Sequence, residues 1–111
     1  MAKHKTALVS LLLLWTIPTV ADVLPTANTL SLTPIVIYEN TTAASVLVTV
    51  QVTDERANMD SRVILNPGAK GTVIPDGTTK AASITVPPAG TITLQCNGTG
   101  SGGCKYTLAV H

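Results

Sequence analysis

The sequence predicts a small all-β domain, an antiparallel β-sandwich of about seven short strands. Valine, threonine, isoleucine and leucine dominate after residue 21, where Tyr38 and Tyr106 are the only aromatic residues. Apolar and polar residues alternate in several short segments, and Gly and Pro separate these segments at short intervals. No segment after residue 21 carries a helical repeat long enough to compete with the strands.

Three strand candidates lie in the first half of the domain. Two weaker ones cover residues 29–32 and, after Pro34, residues 35–38. The clearest strand covers residues 45–53, where valines alternate with polar residues. The valines should face the core and the polar residues the solvent, with Leu47 as the exception on the outer phase. The four valines are Val46, Val48, Val50 and Val52.

The second half of the chain repeats this pattern. Weaker candidates cover residues 62–65 and 72–74, and clear alternation follows at residues 82–86, 91–96 and 104–110. The core-facing phase of the last three strands holds Ala82, Ile84, Val86, Ile92, Leu94, Cys96, Cys104, Tyr106, Leu108 and Val110. Turn signals separate the strands at residues 39–41, 66–68 and 75–77, and in the last two Pro sets the first turn dihedral and Gly accepts a positive one.

Residues 1–21 have the pattern of a secretory signal peptide. Basic residues at positions 3–5 precede an apolar run at residues 7–17 and Pro18, and the small residues Thr19 and Ala21 mark the cleavage site. We therefore expect a signal peptide at residues 1–21, an N-terminal arm at residues 22–28 and a sandwich domain at residues 29–111.

This organisation predicts a secreted or extracytoplasmic protein, in the periplasm or outside the cell. The alternative is a leader that stays attached as a membrane anchor. Its apolar run is about 11 residues, against roughly 20 for a spanning helix, so we expect cleavage and no membrane insertion afterwards. Intact mass of the exported product should show a chain that begins at Asp22.

The charge balance gives no sign of an anionic partner. Without residues 1–21, five basic residues face six acidic ones, a net charge of −1. No Lys/Arg cluster is present to bind nucleic acid or an anionic membrane surface. A protein partner or self-association fits this composition better.

The two cysteines carry the strongest local signal. Cys96 and Cys104 lie in the core-facing phase of the last two predicted strands, separated by the glycine-rich residues 97–103. Export to an oxidising compartment favours a disulfide, which we expect across a hairpin formed by these strands. The alternative, a redox or metal-binding pair, lacks the tight C-x-x-C spacing and a nearby histidine.

Residues that could carry catalysis are sparse. After residue 21 the only histidine is His111, so a Ser-His or Cys-His pair is hard to build. The glycine-rich loop contains a G-x-G-x-x-G pattern, but it leads into a strand and not into the helix that dinucleotide binding requires. We expect a flexible loop there, and a protein without catalytic, cofactor-binding or metal-binding residues.

An acidic loop keeps one metal-binding alternative open. Asp54, Glu55, Asn58 and Asp60 could supply oxygen ligands to a weak calcium site. The denser D-x-D-x-D alternation is absent, so a solvated loop between strands is the simpler interpretation.

Asn40 and Asn97 each satisfy the N-glycosylation sequon, which matters only in a eukaryotic host, and we interpret both first as turn residues.

Several segments resemble secreted immunoglobulin-like and Calx-beta-like modules. They are Leu-Ser-Leu-Thr-Pro at residues 30–34, Ile-Tyr-Glu-Asn at residues 37–40, the valine strand, and Asp-Gly-Thr-Thr-Lys at residues 76–80 leading into Ala-Ser-Ile-Thr-Val at residues 82–86. The resemblance covers residues 29–94 and implies an Ig-like sandwich. The acidic calcium ligands of Calx-beta modules are largely missing, and a terminal disulfide hairpin is not part of that pattern.

The resemblance implies adhesion, spacing or assembly and not chemistry. We therefore expect a non-enzymatic module of the cell envelope or extracellular space that takes part in protein interaction or adhesion. The alternative is a self-assembling, pilin-like subunit of a surface fibre. Its motivation is the arm at residues 22–28, which could pair with the sheet edge of a neighbouring subunit.

Overall fold

The computed structural model describes residues 22–111, and the predicted signal peptide lies outside the described residues. Short β-strands account for the regular structure of this part of the chain. They are β1 (Asp22–Val23), β2 (Ala27–Thr29), β3 (Ile35–Glu39), β4 (Val46–Asp54), β5 (Ser61–Asn66), β6 (Lys70–Ile74), β7 (Thr79–Val86), β8 (Thr91–Gln95) and β9 (Cys104–Val110).

The strands form two antiparallel sheets. In the first sheet the order is β1-β9-β4-β7, and β2 also pairs with β9. In the second sheet the order is β3-β8-β5-β6. Because β1 and β2 follow one another along β9, they act as one interrupted edge strand, and the two sheets then have the strand order of a jelly roll. The predicted small antiparallel all-β sandwich is thus confirmed, with nine short segments where about seven strands were expected, and its strand order differs from the Ig-like arrangement that the resemblance implies.

The core lies between the sheets and is aliphatic. The valine alternation of β4 is confirmed, since Val48 is fully buried while Leu47 in the opposite phase is 43% exposed. The core-facing phases of β7, β8 and β9 also follow the prediction. The buried hydrophobic residues are Val48, Val50, Val52, Val63, Ile74, Val86, Ile92, Leu94, Cys96, Cys104 and Leu108.

The predicted strand at residues 29–32 is wrong beyond its first residue. Strand β2 ends at Thr29, and Leu30 and Leu32 are exposed. The Thr29 hydroxyl accepts a hydrogen bond from the Ser31 amide at 3.1 Å, and the Ser31 hydroxyl accepts one from the Thr33 amide at 3.2 Å. These side chains bond to amides that a strand would need for its ladder, so the chain turns here.

Residues 22–28, which the sequence sets apart as an arm, lie along the domain's own sheet. Asp22 pairs with Val110 and Ala27 with Tyr106. In this part of the chain the structure contains no helix that is long and apolar enough to cross a membrane.

Candidate functional site

The Cys96–Cys104 disulfide is present, with 5.8 Å between the two Cα atoms, and both cysteines are fully buried. The expectation that it crosses a hairpin is wrong. Cys96 follows β8 in one sheet, whereas Cys104 begins β9 in the other. The bond therefore joins the two sheets at one end of the sandwich. The alternation of apolar and polar residues predicted that both sulfur atoms face the core, but it carries no information on which sheet each strand joins.

The loop at residues 97–103, expected to be flexible because of its glycines, forms backbone hydrogen bonds to the segment after β4. Thr99 and Ala57 exchange backbone hydrogen bonds of 2.9 and 3.0 Å, and Glu55 donates one of 2.9 Å to Gly103. A Cβ atom at Gly98, which has a φ of 105°, would collide with the carbonyl oxygen of Ala57. Glycine is therefore required where this loop crosses the end of the sandwich.

A buried polar network lies beside the disulfide. The Asp54 carboxylate accepts hydrogen bonds from the Arg56 amide at 2.8 Å and from the Ser61 hydroxyl at 2.9 Å. The Ser61 oxygen in turn accepts a hydrogen bond from the Asn97 amide at 3.0 Å and lies 3.3 Å from the Cys104 sulfur. We call these residues and the disulfide the disulfide cap: Asp54, Arg56, Ser61, Cys96, Asn97 and Cys104.

Arg56 connects the cap to two neighbouring loops. Its guanidinium donates hydrogen bonds to the carbonyl oxygens of Gly98, at 3.2 Å, and Leu30. The side chain is buried, and its Nε has no hydrogen-bond partner among residues 22–111. Arg56 thus adds side-chain hydrogen bonds to the Ala57–Thr99 bridge and also links this end of the sandwich to the segment that follows β2.

The four residues that the sequence offers as possible calcium ligands each interact with a different partner in the protein. Asp54 faces the cap, Glu55 pairs with Lys105 at 3.3 Å, and Asp60 accepts a hydrogen bond from the Asp76 amide at 2.9 Å. Asn58 donates through its side chain to Thr99 at 2.8 Å. Within residues 22–111, the structure does not bring the three acidic side chains of this set together.

One grouping of potential metal ligands does occur in the described region. A carboxylate oxygen of Asp54 and the sulfur atoms of Cys96 and Cys104 all lie within 4.8 Å of one another. The two sulfur atoms are bonded to each other and so offer no thiolate, the form in which cysteine ligates metals. This grouping therefore consists of a buried carboxylate next to a disulfide.

Asn40 and Asn97 both lie outside the strands, shortly after β3 and β8, and Asn40 also has a structural role. Asn40 is fully buried, and its side-chain nitrogen donates to the carbonyl oxygens of Ala44 and Val86 at 2.8 and 3.0 Å. A sugar cannot be attached to this nitrogen in the folded chain. The Asn97 side chain is partly exposed and donates to the Asp60 carbonyl at 3.0 Å.

His111 is exposed but not frayed. Its amide donates to the Leu47 carbonyl at 2.9 Å, and its Nε2 lies 3.1 Å from the Thr49 hydroxyl.

A cleft of about 410 Å³ opens between edge strands β6 and β7, with Leu65, Lys70, Thr72 and Ile84 among its lining residues. Neither His111 nor any residue of the disulfide cap lines this cleft.

Sequence reasoning missed Ser61 and Arg56. Ser61 had a signal, because it shares the phase of Val63 and is therefore a polar residue in a core-facing position. Arg56 had none, because its burial depends on the loops of Leu30 and Gly98, which are distant in sequence.

No protein-family model matches the chain, and no curated protein matches it. Among solved structures, the fold is similar to that of a chain from Bacillus endospore appendages, described as a novel family of disulfide-linked pili. The two chains are 16% identical with a TM-score of 0.57, and the similarity covers 82% of this chain and 84% of that one. At this identity, what the two chains share is the fold of the whole sandwich.

Proposed function

We propose that this protein is a non-enzymatic structural subunit of a surface fibre outside the cytoplasm, and that it assembles through the free edge of β7. The observation that carries this proposal is the geometry of the four sheet edges. An edge strand presents unpaired amide and carbonyl groups that can pair with another chain, and monomeric proteins usually protect such edges.

Three of the four edges have a feature that limits pairing. The edge formed by β1 and β2 is interrupted at residues 24–26, which include Pro25. Strand β3 has a register shift between Val36 and Tyr38, and β6 has only five residues. Register shifts, proline and short strands are all common forms of edge protection.

Strand β7 lacks these features. It has eight residues and pairs with β4 in continuous register from Val46–Val86 to Thr53–Thr79. It contains no proline, and its single charged residue is Lys80. The cleft between β7 and β6 leaves this side of the sandwich open. A strand from a second copy, added along β7, would extend the sheet and cover the cleft.

The fold similarity supports the same function, because a chain with this architecture forms pili in another system. Export is supported by the buried disulfide, since such bonds persist in oxidising compartments. The manner of linkage should differ from that of a disulfide-linked pilus. The sequence contains two cysteines, and they are bonded to each other within one subunit. Subunits should therefore associate without disulfide bonds between them.

Light scattering after size-exclusion chromatography, with electron microscopy, tests assembly of the exported protein. We expect concentration-dependent polymers that Ala81→Lys on β7 suppresses, because a charge on an edge strand opposes pairing. Gln51→Lys is the matched control, since Gln51 lies directly across from Ala81, on the central strand β4. A parent protein that stays monomeric at all concentrations would contradict assembly and favour a secreted adhesion or interaction module, as the Ig-like resemblance implies.

A further inference from the structure

We infer that Asp54 makes the Cys96–Cys104 disulfide resistant to exchange with external thiols. Its buried carboxylate lies within 4.8 Å of both sulfur atoms, one of which must carry negative charge when the bond breaks. This inference goes beyond the fibre proposal and does not depend on whether subunits assemble.

The chemistry of exchange defines what Asp54 opposes. A thiolate of a dithiol reagent attacks one cysteine sulfur, a mixed disulfide forms, and the Cys96–Cys104 bond breaks. The electron pair of that bond leaves on the other cysteine sulfur as a thiolate, which then takes a proton. The second thiol of the reagent resolves the mixed disulfide, so the protein gains two electrons and the reagent becomes a cyclic disulfide. The leaving thiolate is the species that an adjacent carboxylate destabilises.

The position of the Asp54 carboxylate is fixed, and no Lys or Arg of the described residues forms an ion pair with it. The Arg56 amide and the Ser61 hydroxyl hold its two oxygens. The ion pair found in the described part of the chain joins Lys105 to Glu55, and no Lys or Arg nitrogen there lies within 4.0 Å of the Asp54 carboxylate. Because the site is buried, water and salt screen this charge far less than they screen a charge on the surface.

Ser61 adds to the effect through its single proton. The Ser61 oxygen lies 3.3 Å from the Cys104 sulfur, close enough to stabilise a thiolate by donating a hydrogen bond. That proton is already donated to Asp54 at 2.9 Å, while the Asn97 amide occupies an acceptor site of the same oxygen. The carboxylate therefore repels a thiolate at Cys104 and also withholds the nearest hydroxyl donor from it.

Asp54→Asn tests both effects with little change in shape. The asparagine can accept from the Arg56 amide and donate to Ser61, which frees the Ser61 proton for Cys104. We expect dithiothreitol to reduce the folded variant at least about tenfold faster than the parent protein, as removal of one buried charge near a leaving thiolate predicts. Asp60→Asn, the same change in the same loop but at an exposed side chain, should leave the rate unchanged.

Loosening of the cap could also speed reduction, so the rate must be compared with local opening. Hydrogen exchange of the Thr99 amide, which bonds to Ala57, reports the opening of the loop over the disulfide. Acceleration beyond the change in this opening equilibrium supports the electrostatic role. Equal rates in parent and variant, or acceleration that the opening equilibrium fully accounts for, would overturn it.

Discussion

Asn40 follows β3 as a fully buried residue whose hydrogen-bonding groups are satisfied by protein atoms. Its side-chain nitrogen donates to Ala44 and Val86, and its side-chain oxygen accepts from the amide and hydroxyl of Thr42. Its backbone also pairs with Ala89 and Gly90. One side chain thus joins the turn after β3 to the end of β7, and the sequon pattern reveals nothing of this role.

Asn40→Asp should lower the free energy of unfolding by several kcal/mol. The carboxylate cannot donate to the two carbonyl oxygens and would carry a charge into a buried site, and each buried group left unsatisfied costs about 1–3 kcal/mol. Chemical denaturation measures the loss. Asn66→Asp, at the exposed last residue of β5, should change stability by less than about 0.5 kcal/mol. Equal stability of the two variants would show that the Asn40 hydrogen bonds contribute little.

At the scale of a strand, β4 offers two adjacent residues with opposite surroundings. Val48 is fully buried between the sheets, whereas Leu47 is 43% exposed. Val48→Asp would bury an unpaired carboxylate and should cost several kcal/mol, comparable to the whole stability of a domain of this size. Leu47→Asp should cost about 1 kcal/mol or less. Thermal unfolding of both variants beside the parent tests the strand phase, and similar melting temperatures for the two variants would contradict it.

The positions of the strands, and the side of each strand that faces the core, were predictable because the alternation of apolar and polar residues reflects burial directly. The valines of β4 and the apolar phases of β7, β8 and β9 needed no knowledge of the partner strands. Sheet membership was not predictable, because both sheets of a sandwich bury the same phase. For this reason the last two strands were expected to form a hairpin, although β8 and β9 lie in different sheets.

The candidate site was predictable to a similar extent. Cys96 and Cys104 could be paired from their phase and from export, and the bond is present. The network around them depends on contacts across the chain, such as Ser61 with Asn97 and Arg56 with Leu30. Local sequence patterns do not encode such contacts. The loop at residues 97–103, which contributes to them, was expected to be flexible because of its glycines alone.

For the whole molecule, the location of the disulfide limits how subunits can be joined. Both cysteines of the chain are buried in one intramolecular bond between the sheets. A disulfide link between subunits would require this bond to open, which removes a crosslink worth roughly 2–4 kcal/mol from the subunit. Sheet extension along β7 needs no such step.

Polymers of this protein should therefore separate into monomers when they are denatured in sodium dodecyl sulfate without a reducing agent. Edge pairing consists of backbone hydrogen bonds and side-chain contacts, which the detergent disrupts, whereas an intermolecular disulfide would survive it. Electrophoresis with and without dithiothreitol measures this, after free thiols are blocked so that exchange during denaturation cannot create new bonds. A ladder of oligomers that disappears on reduction would show that cysteines link the subunits. That result would mean that the Cys96–Cys104 bond opens during assembly, while a single monomer band under both conditions would show that no disulfide links the subunits.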